Sequence, residues 1–167
     1  MPVIATATQV AWHAPGTAEE DKCCCTCPCP CSEESCAAEY VVALSTPDPD
    51  GPASLTVYRT GDCSWYGEEW TSGVAANGEV ARHYYAQIDY GLANACFPGE
   101  CRFSVTYVVL VYYDYAPEVP QTLQAGGWFP TADPAPTDPV ATYTLCVETT
   151  EGGDLIEEST LTVSAAP

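Results

Sequence analysis

Beyond residue 38 the chain alternates apolar and polar positions with a period of two, in runs rich in β-branched and aromatic residues and bounded by Gly, Pro, Asp and Ser. That period puts successive side chains on opposite faces of an extended backbone, so each run predicts a strand. Six are predicted: Glu39 to Ser45, Ala53 to Thr60, Ala81 to Tyr90, Arg102 to Tyr115, Ala141 to Thr150 and Ser159 to Ala165. The fourth, "RFSVTYVVLVYYDY", is apolar on both faces, and at ~3.3 Å per residue it is long enough to be a central strand. "EGGD" (151–154) marks a turn that makes the last two strands a hairpin. Helical periodicity is missing throughout. The expected fold is all-β, an antiparallel β-sandwich of immunoglobulin-like or jelly-roll type, occupying residues 39–167.

Two segments fall outside this pattern. Residues 1–38 form an N-terminal extension with a possible strand at Val3 to Trp12 and then a cysteine-rich tract. Val3 and Ile4 are candidates for pairing with a neighbouring subunit's edge, although pairing within the chain is the plainer expectation. Residues 116–139 carry six prolines and read as an arm, with Trp128 and Phe129 behind Gly126 and Gly127 as its apolar, subunit-contacting tip.

The tract changes the picture most. "CCCTCPCPCSEESC" holds Cys23, Cys24, Cys25, Cys27, Cys29, Cys31 and Cys36, and Cys63, Cys96, Cys101 and Cys146 follow. A chain of 167 residues buries on the order of 70% of its unfolded surface without cross-links. The sulfurs therefore call for another explanation. Adjacent cysteines sit ~3.8 Å apart at Cα, too close to bridge each other. Pro28 and Pro30 hold "CPCPC" extended, which aims Cys27, Cys29 and Cys31 at one facing surface. All eleven are expected in or available to disulfides, with Cys96–Cys101 (roughly 2 kcal/mol by loop closure) and Cys63–Cys146 (roughly 4–5 kcal/mol) as the pairings suggested outside the tract. Eleven is odd, so at least one thiol is free, bound to metal or joined to another chain. The alternative is a cysteine-cluster metal site at Cys27, Cys29, Cys31 and Cys36, worth on the order of 10 kcal/mol if zinc filled it. Against it, metal-storing cysteine proteins intersperse lysines, and this chain has one.

Charge narrows the partners. A net charge of −19 repels phosphate backbones and anionic lipid, which predicts no nucleic-acid partner. No apolar run approaches the about 18 residues of a membrane helix, so no membrane insertion is expected. The opening "MPVIATATQV" shows no recognisable signal peptide, yet the cysteine content belongs to an oxidising compartment. An extracellular or virion location, reached by lysis or an unread export route, reconciles the two.

Chemistry finds little footing. His13 and His83 stand outside any nucleophile or metal motif and are expected on the surface. Glu68 and Glu69, as successive strand residues, point apart and make no acid pair. "PDPDG" (47–51) lacks the further ligands of a calcium loop and reads as a turn. No cofactor and no catalytic residue is predicted. "TVYRTGDCSWYGEEW" (56–70) places Arg59 where it could pair with a carboxylate and Trp65 where it could cover a disulfide. Its Leu-Thr-x-x-Arg strand followed by Cys63-x-Trp65-x-Gly67, behind a Cys-Pro tract, resembles a pattern in uncharacterised cysteine-rich β proteins of bacterial and phage-like genomes. The resemblance covers residues 23–70 and implies a structural or surface role with no catalytic assignment. The expected function is thus a non-enzymatic, disulfide-stabilised structural subunit of a virion, phage-like tail or other extracellular assembly, its partners being copies of itself or other subunits. The alternatives are a carbohydrate-binding or adhesive module, with Trp65, Trp70 and Trp128 as stacking surfaces for glycan, and a cysteine-cluster metal-binding protein.

Overall fold

A computed structural model describes residues 27–32, 34–72, 77–93, 96–148 and 159–167. Val3, Ile4, His13, Cys23, Cys24, Cys25 and the 151–154 turn lie outside the described residues. Eight strands follow one another: β1 (Glu39–Leu44), β2 (Ser54–Gly61), β3 (Ser64–Ser72), β4 (Glu79–Leu92), β5 (Cys101–Tyr113), β6 (Ala116–Pro130), β7 (Ala141–Glu148) and β8 (Thr160–Ala165). Each pairs antiparallel with its neighbour in sequence, and β8 returns to β1 with Val42 opposite Val163, closing a barrel. The fold is all-β as expected, but it is a closed eight-stranded barrel and not a sandwich.

Two additional strands produce the difference. β3 lies in the segment read as a motif, and β6 in the segment read as an arm. β6 runs along β5 from Ala116 to Trp128, and from Gly126 onward also along β7. Pro117 and Pro120 fall before β6 meets β7, where a missing N–H breaks no ladder on that side. With eight strands the interior is just wide enough to be filled by side chains. Tyr40, Val42, Val57, Trp65, Tyr84, Ile88, Phe103, Val105, Trp128, Tyr143 and Leu161 fill it. Trp128 is therefore a core residue and not an exposed tip; its indole N–H donates to the Ser159 carbonyl at 3.2 Å. Gly126 makes room for that ring, since a Cβ there would come within 2.8 Å of it. Gly67 permits a closer approach still: its Cβ would lie 2.0 Å from the Thr56 carbonyl oxygen of β2.

One end of the barrel is closed by charge. Arg82 reaches Glu79 through its Nε and Asp48 through its Nη1, and Tyr84 donates its hydroxyl to Asp48 at 2.8 Å. Burial by itself would push the Asp48 carboxyl up; the Asp50 N–H, the Tyr84 hydroxyl and the Arg82 guanidinium outweigh it and hold Asp48 below its ordinary value. Burial and the same bond raise Tyr84 to about 12. Asp48 also accepts the Asp50 and Gly51 N–H groups, so "PDPDG" is a turn, as expected, with its first carboxylate turned inward.

Candidate functional site

The opposite end is closed by sulfur. The tract runs extended from Cys27, with Cys27, Cys29 and Cys31 turned toward the barrel and Pro28 and Pro30 toward solvent. Cys27 is joined to Cys101 at the start of β5, and Cys29 to Cys63 in the β2–β3 turn. Cys31 is joined to Cys36, and both are buried over the end of the core. Cys96 is joined to Cys146, which carries the β4–β5 connection across β6 to β7; Phe97 packs on half-buried Phe129 along the way, ring centres 6.2 Å apart. These bonds replace the expected Cys96–Cys101 and Cys63–Cys146 pairings. Cys101 starts β5 opposite Leu92 at the end of the barrel that the tract crosses, and Cys63 lies in the β2–β3 turn at that same end, so each bonds to a tract sulfur. By loop closure, taken separately, Cys27–Cys101 contributes roughly 4.5 kcal/mol and Cys29–Cys63 roughly 4 kcal/mol. The expected metal quartet is likewise broken, because Cys27 goes to Cys101 and Cys63 takes its place among the clustered sulfurs.

Beside the tract lies a surface pocket of about 470 Å³ between Cys29, Cys31 and Ser32 on one side and the Arg59–Asp62 turn on the other. Arg59 bonds to carbonyl oxygens, Ser32 at 3.4 Å and Asp62 at 3.1 Å, where a carboxylate was expected. Its guanidinium lies 5.2 Å from the centre of the Trp65 ring, and its Nε is without a partner among the described residues. Trp65 itself is fully buried and donates to the Ala37 carbonyl at 3.0 Å.

The second candidate surface is the outer wall of β3, β4 and β5. Register sets Trp70 beside His83 and Glu68 beside Tyr85. The Trp70 indole stacks on the His83 imidazole at 4.1 Å and 6°, and the Tyr112 ring of β5 lies 5.3 Å from Trp70. His83, expected to be exposed, is 9% exposed, because the indole covers it while Glu68 meets its Nε2 at 2.8 Å. Glu68 also accepts the Tyr66 hydroxyl at 2.8 Å; that bond, and then the imidazole, hold its carboxyl below the ordinary value. Trp70 itself remains 53% exposed. Of the three tryptophans expected to serve glycan stacking, Trp65 and Trp128 are thus sealed in the core and Trp70 alone faces out.

The pairing of Trp70 with His83 was not foreseen, since it depends on strand register. The only sequence signal was the repeat of large outward residues at 66, 68 and 70. Fold and site together define a closed antiparallel barrel, clamped by disulfides at one end and bearing an ordered aromatic patch on its wall. No protein-family model, curated protein or solved structure matches the chain.

Proposed function

We propose that the chain is a non-enzymatic structural subunit of an extracellular assembly, a virion, phage-like tail or comparable coat, that meets its neighbours through the β3–β5 wall. The observation carrying this reading is the half-exposed Trp70, held by ring contacts with His83 and Tyr112 before any partner arrives. Pre-ordered aromatic anchors are what stable interfaces use, because little side-chain freedom is left to lose. The wall also carries Tyr66, Glu68 and Gln87 facing out, while apolar side chains fill the interior, the inverse of a barrel that faces lipid. Four disulfides suit an oxidising setting. Electron microscopy and light scattering of native protein should show rings, filaments or decorated particles that disperse in Trp70→Ala/Tyr112→Ala with the thermal midpoint kept. A wild-type monomer at high concentration under oxidising conditions overturns the reading.

A second reading, a glycan-binding surface, is favoured by the same flat indole with the Glu68 carboxylate nearby on the stacked His83. Glycan-array signals lost in Trp70→Ala would select it over assembly, whereas an array without signal removes it.

A further inference from the structure

Three of the four sulfurs of the Cys29–Cys63 and Cys31–Cys36 disulfides gather in one cluster. Cys31 Sγ is 3.7 Å from Cys63 Sγ and 3.9 Å from Cys29 Sγ, although it is bonded to neither. The sulfurs of Cys29, Cys31 and Cys63 all lie within 4.8 Å of one another, and Cys36 is held to Cys31. Tetrahedral zinc with thiolate bonds of about 2.3 Å sets its sulfurs about 3.8 Å apart along every edge. Two of the six edges of such a tetrahedron are therefore already spanned between the two disulfides. Reductive opening of the Cys29–Cys63 bond to that length asks each of its two sulfurs to move by only about 1 Å, and Cys36, released from Cys31, swings in as the fourth ligand.

We propose that Cys29, Cys31, Cys36 and Cys63, once reduced, are the four ligands of a zinc site, so that one set of positions clamps the barrel end by metal in reducing surroundings and by two disulfides in oxidising ones. Three ligands come from one short segment and the fourth from the β2–β3 turn, so the metal joins the same two parts of the chain that Cys29–Cys63 joins. Each disulfide accepts two electrons and two protons from a dithiol reductant, which closes to its own cyclic disulfide. Zinc then displaces the four thiol protons as the thiolates bind it. The resulting group carries two net negative charges, and the Arg59 guanidinium on the wall of the adjoining pocket offsets part of them. Half-buried Cys29 and Cys63 provide the approach for reductant and metal, while buried Cys31 and Cys36 keep the inner side dry. This inference is independent of the assembly reading.

The full chain is reduced with excess dithiol, freed of it by anaerobic gel filtration, given one equivalent of zinc, pulsed with an alkylating reagent and mapped by mass spectrometry. Zinc should protect Cys29, Cys31, Cys36 and Cys63 and leave Cys27, Cys96, Cys101 and Cys146 open. Protection of another set, such as Cys23, Cys24, Cys25 and Cys27, or of none, overturns the proposal. Cobalt in place of zinc should show the intense visible bands of tetrahedral thiolate ligation. Cys63→Ser should weaken zinc binding roughly a hundredfold or more, as loss of a direct ligand must exceed the 10–100-fold cost of losing a supporting group, and Cys146→Ser should leave it unchanged. The wild-type footprint decides even if Cys63→Ser fails to fold.

Discussion

Replacing Arg82 by Met tests the charged end of the barrel. The side chain keeps its apolar stem but loses the guanidinium that meets Asp48 and Glu79, whose side chains are 5% and 2% exposed. Removing one partner from a buried ion pair costs about 3–5 kcal/mol, because the remaining charge is left without compensation. At a urea m-value of about 2 kcal/mol/M this lowers the midpoint by roughly 1.5–2.5 M at neutral pH. The pH dependence carries the sharper test. In the wild type Asp48 sits below its unfolded pKa of about 4, so its contribution is complete above that value and disappears as pH falls through the lower folded value. In Arg82→Met the Asp48 carboxylate keeps its burial but loses the cation, which raises its pKa. The folded variant then takes up protons before its unfolded chain does, and its stability rises as pH falls from 7 toward 4. The gap between the two proteins should therefore close over that interval in urea unfolding followed by tryptophan fluorescence with disulfides intact. Neutralising the stranded acids as well, in Arg82→Met/Asp48→Asn/Glu79→Gln, should recover most of the loss at pH 7. A loss under about 1 kcal/mol at neutral pH, or a gap that stays constant with pH, refutes this account of the barrel end.

Gly67→Ala should destabilise by about 3 kcal/mol or prevent closure of the barrel, because its Cβ meets the Thr56 carbonyl, a backbone atom that cannot rotate away; circular dichroism melts would reveal it. Tyr84, raised to about 12, stabilises fully below the unfolded tyrosine value of about 10 and progressively less as pH rises through 12. Tyr84→Phe should accordingly flatten the alkaline decline of the urea midpoint between those values. Non-reducing digestion and mass mapping should recover Cys27–Cys101, Cys29–Cys63, Cys31–Cys36 and Cys96–Cys146, and a Cys96–Cys101 peptide would contradict the arrangement at that end.

Strands with an apolar inner face and ordinary turns were legible in the sequence: β1, β2, β4, β5, β7 and β8 all lie within two or three residues of their predicted ends. β3 was hidden because the barrel inverts its pattern. Gly67 faces inward where the strands crowd, while Tyr66 and Trp70 face outward, so the apolar period has the wrong phase. β6 was hidden by Pro117 and Pro120, which read as arm residues until it is known that β7 does not begin beside them. Six strands suggest two open sheets, whereas eight joined in sequence can meet end to end, and only the pairing of Val42 with Val163 distinguishes these outcomes. The same limit governs the sites. Residue spacing brought Cys27, Cys29 and Cys31 to one side, but which sulfur lies beneath each depends on where the β2–β3 turn and the start of β5 arrive in space.

The bond from Cys27 to Cys101 also determines how the protein bears tension. A pull applied ahead of Cys27 passes through one sulfur bridge straight into β5, which is flanked by β4 and β6, and bypasses β1 to β4 along the chain. Those four strands lie within a covalent loop that carries no strain from that direction. From Cys101 the load is carried back to Cys96 and through the Cys96–Cys146 bridge into β7, so β5 and β6 are bypassed as well. Force between such a tether and the C-terminus must therefore unzip β8 from β1 and β7, starting where Ala165 lies opposite Tyr40.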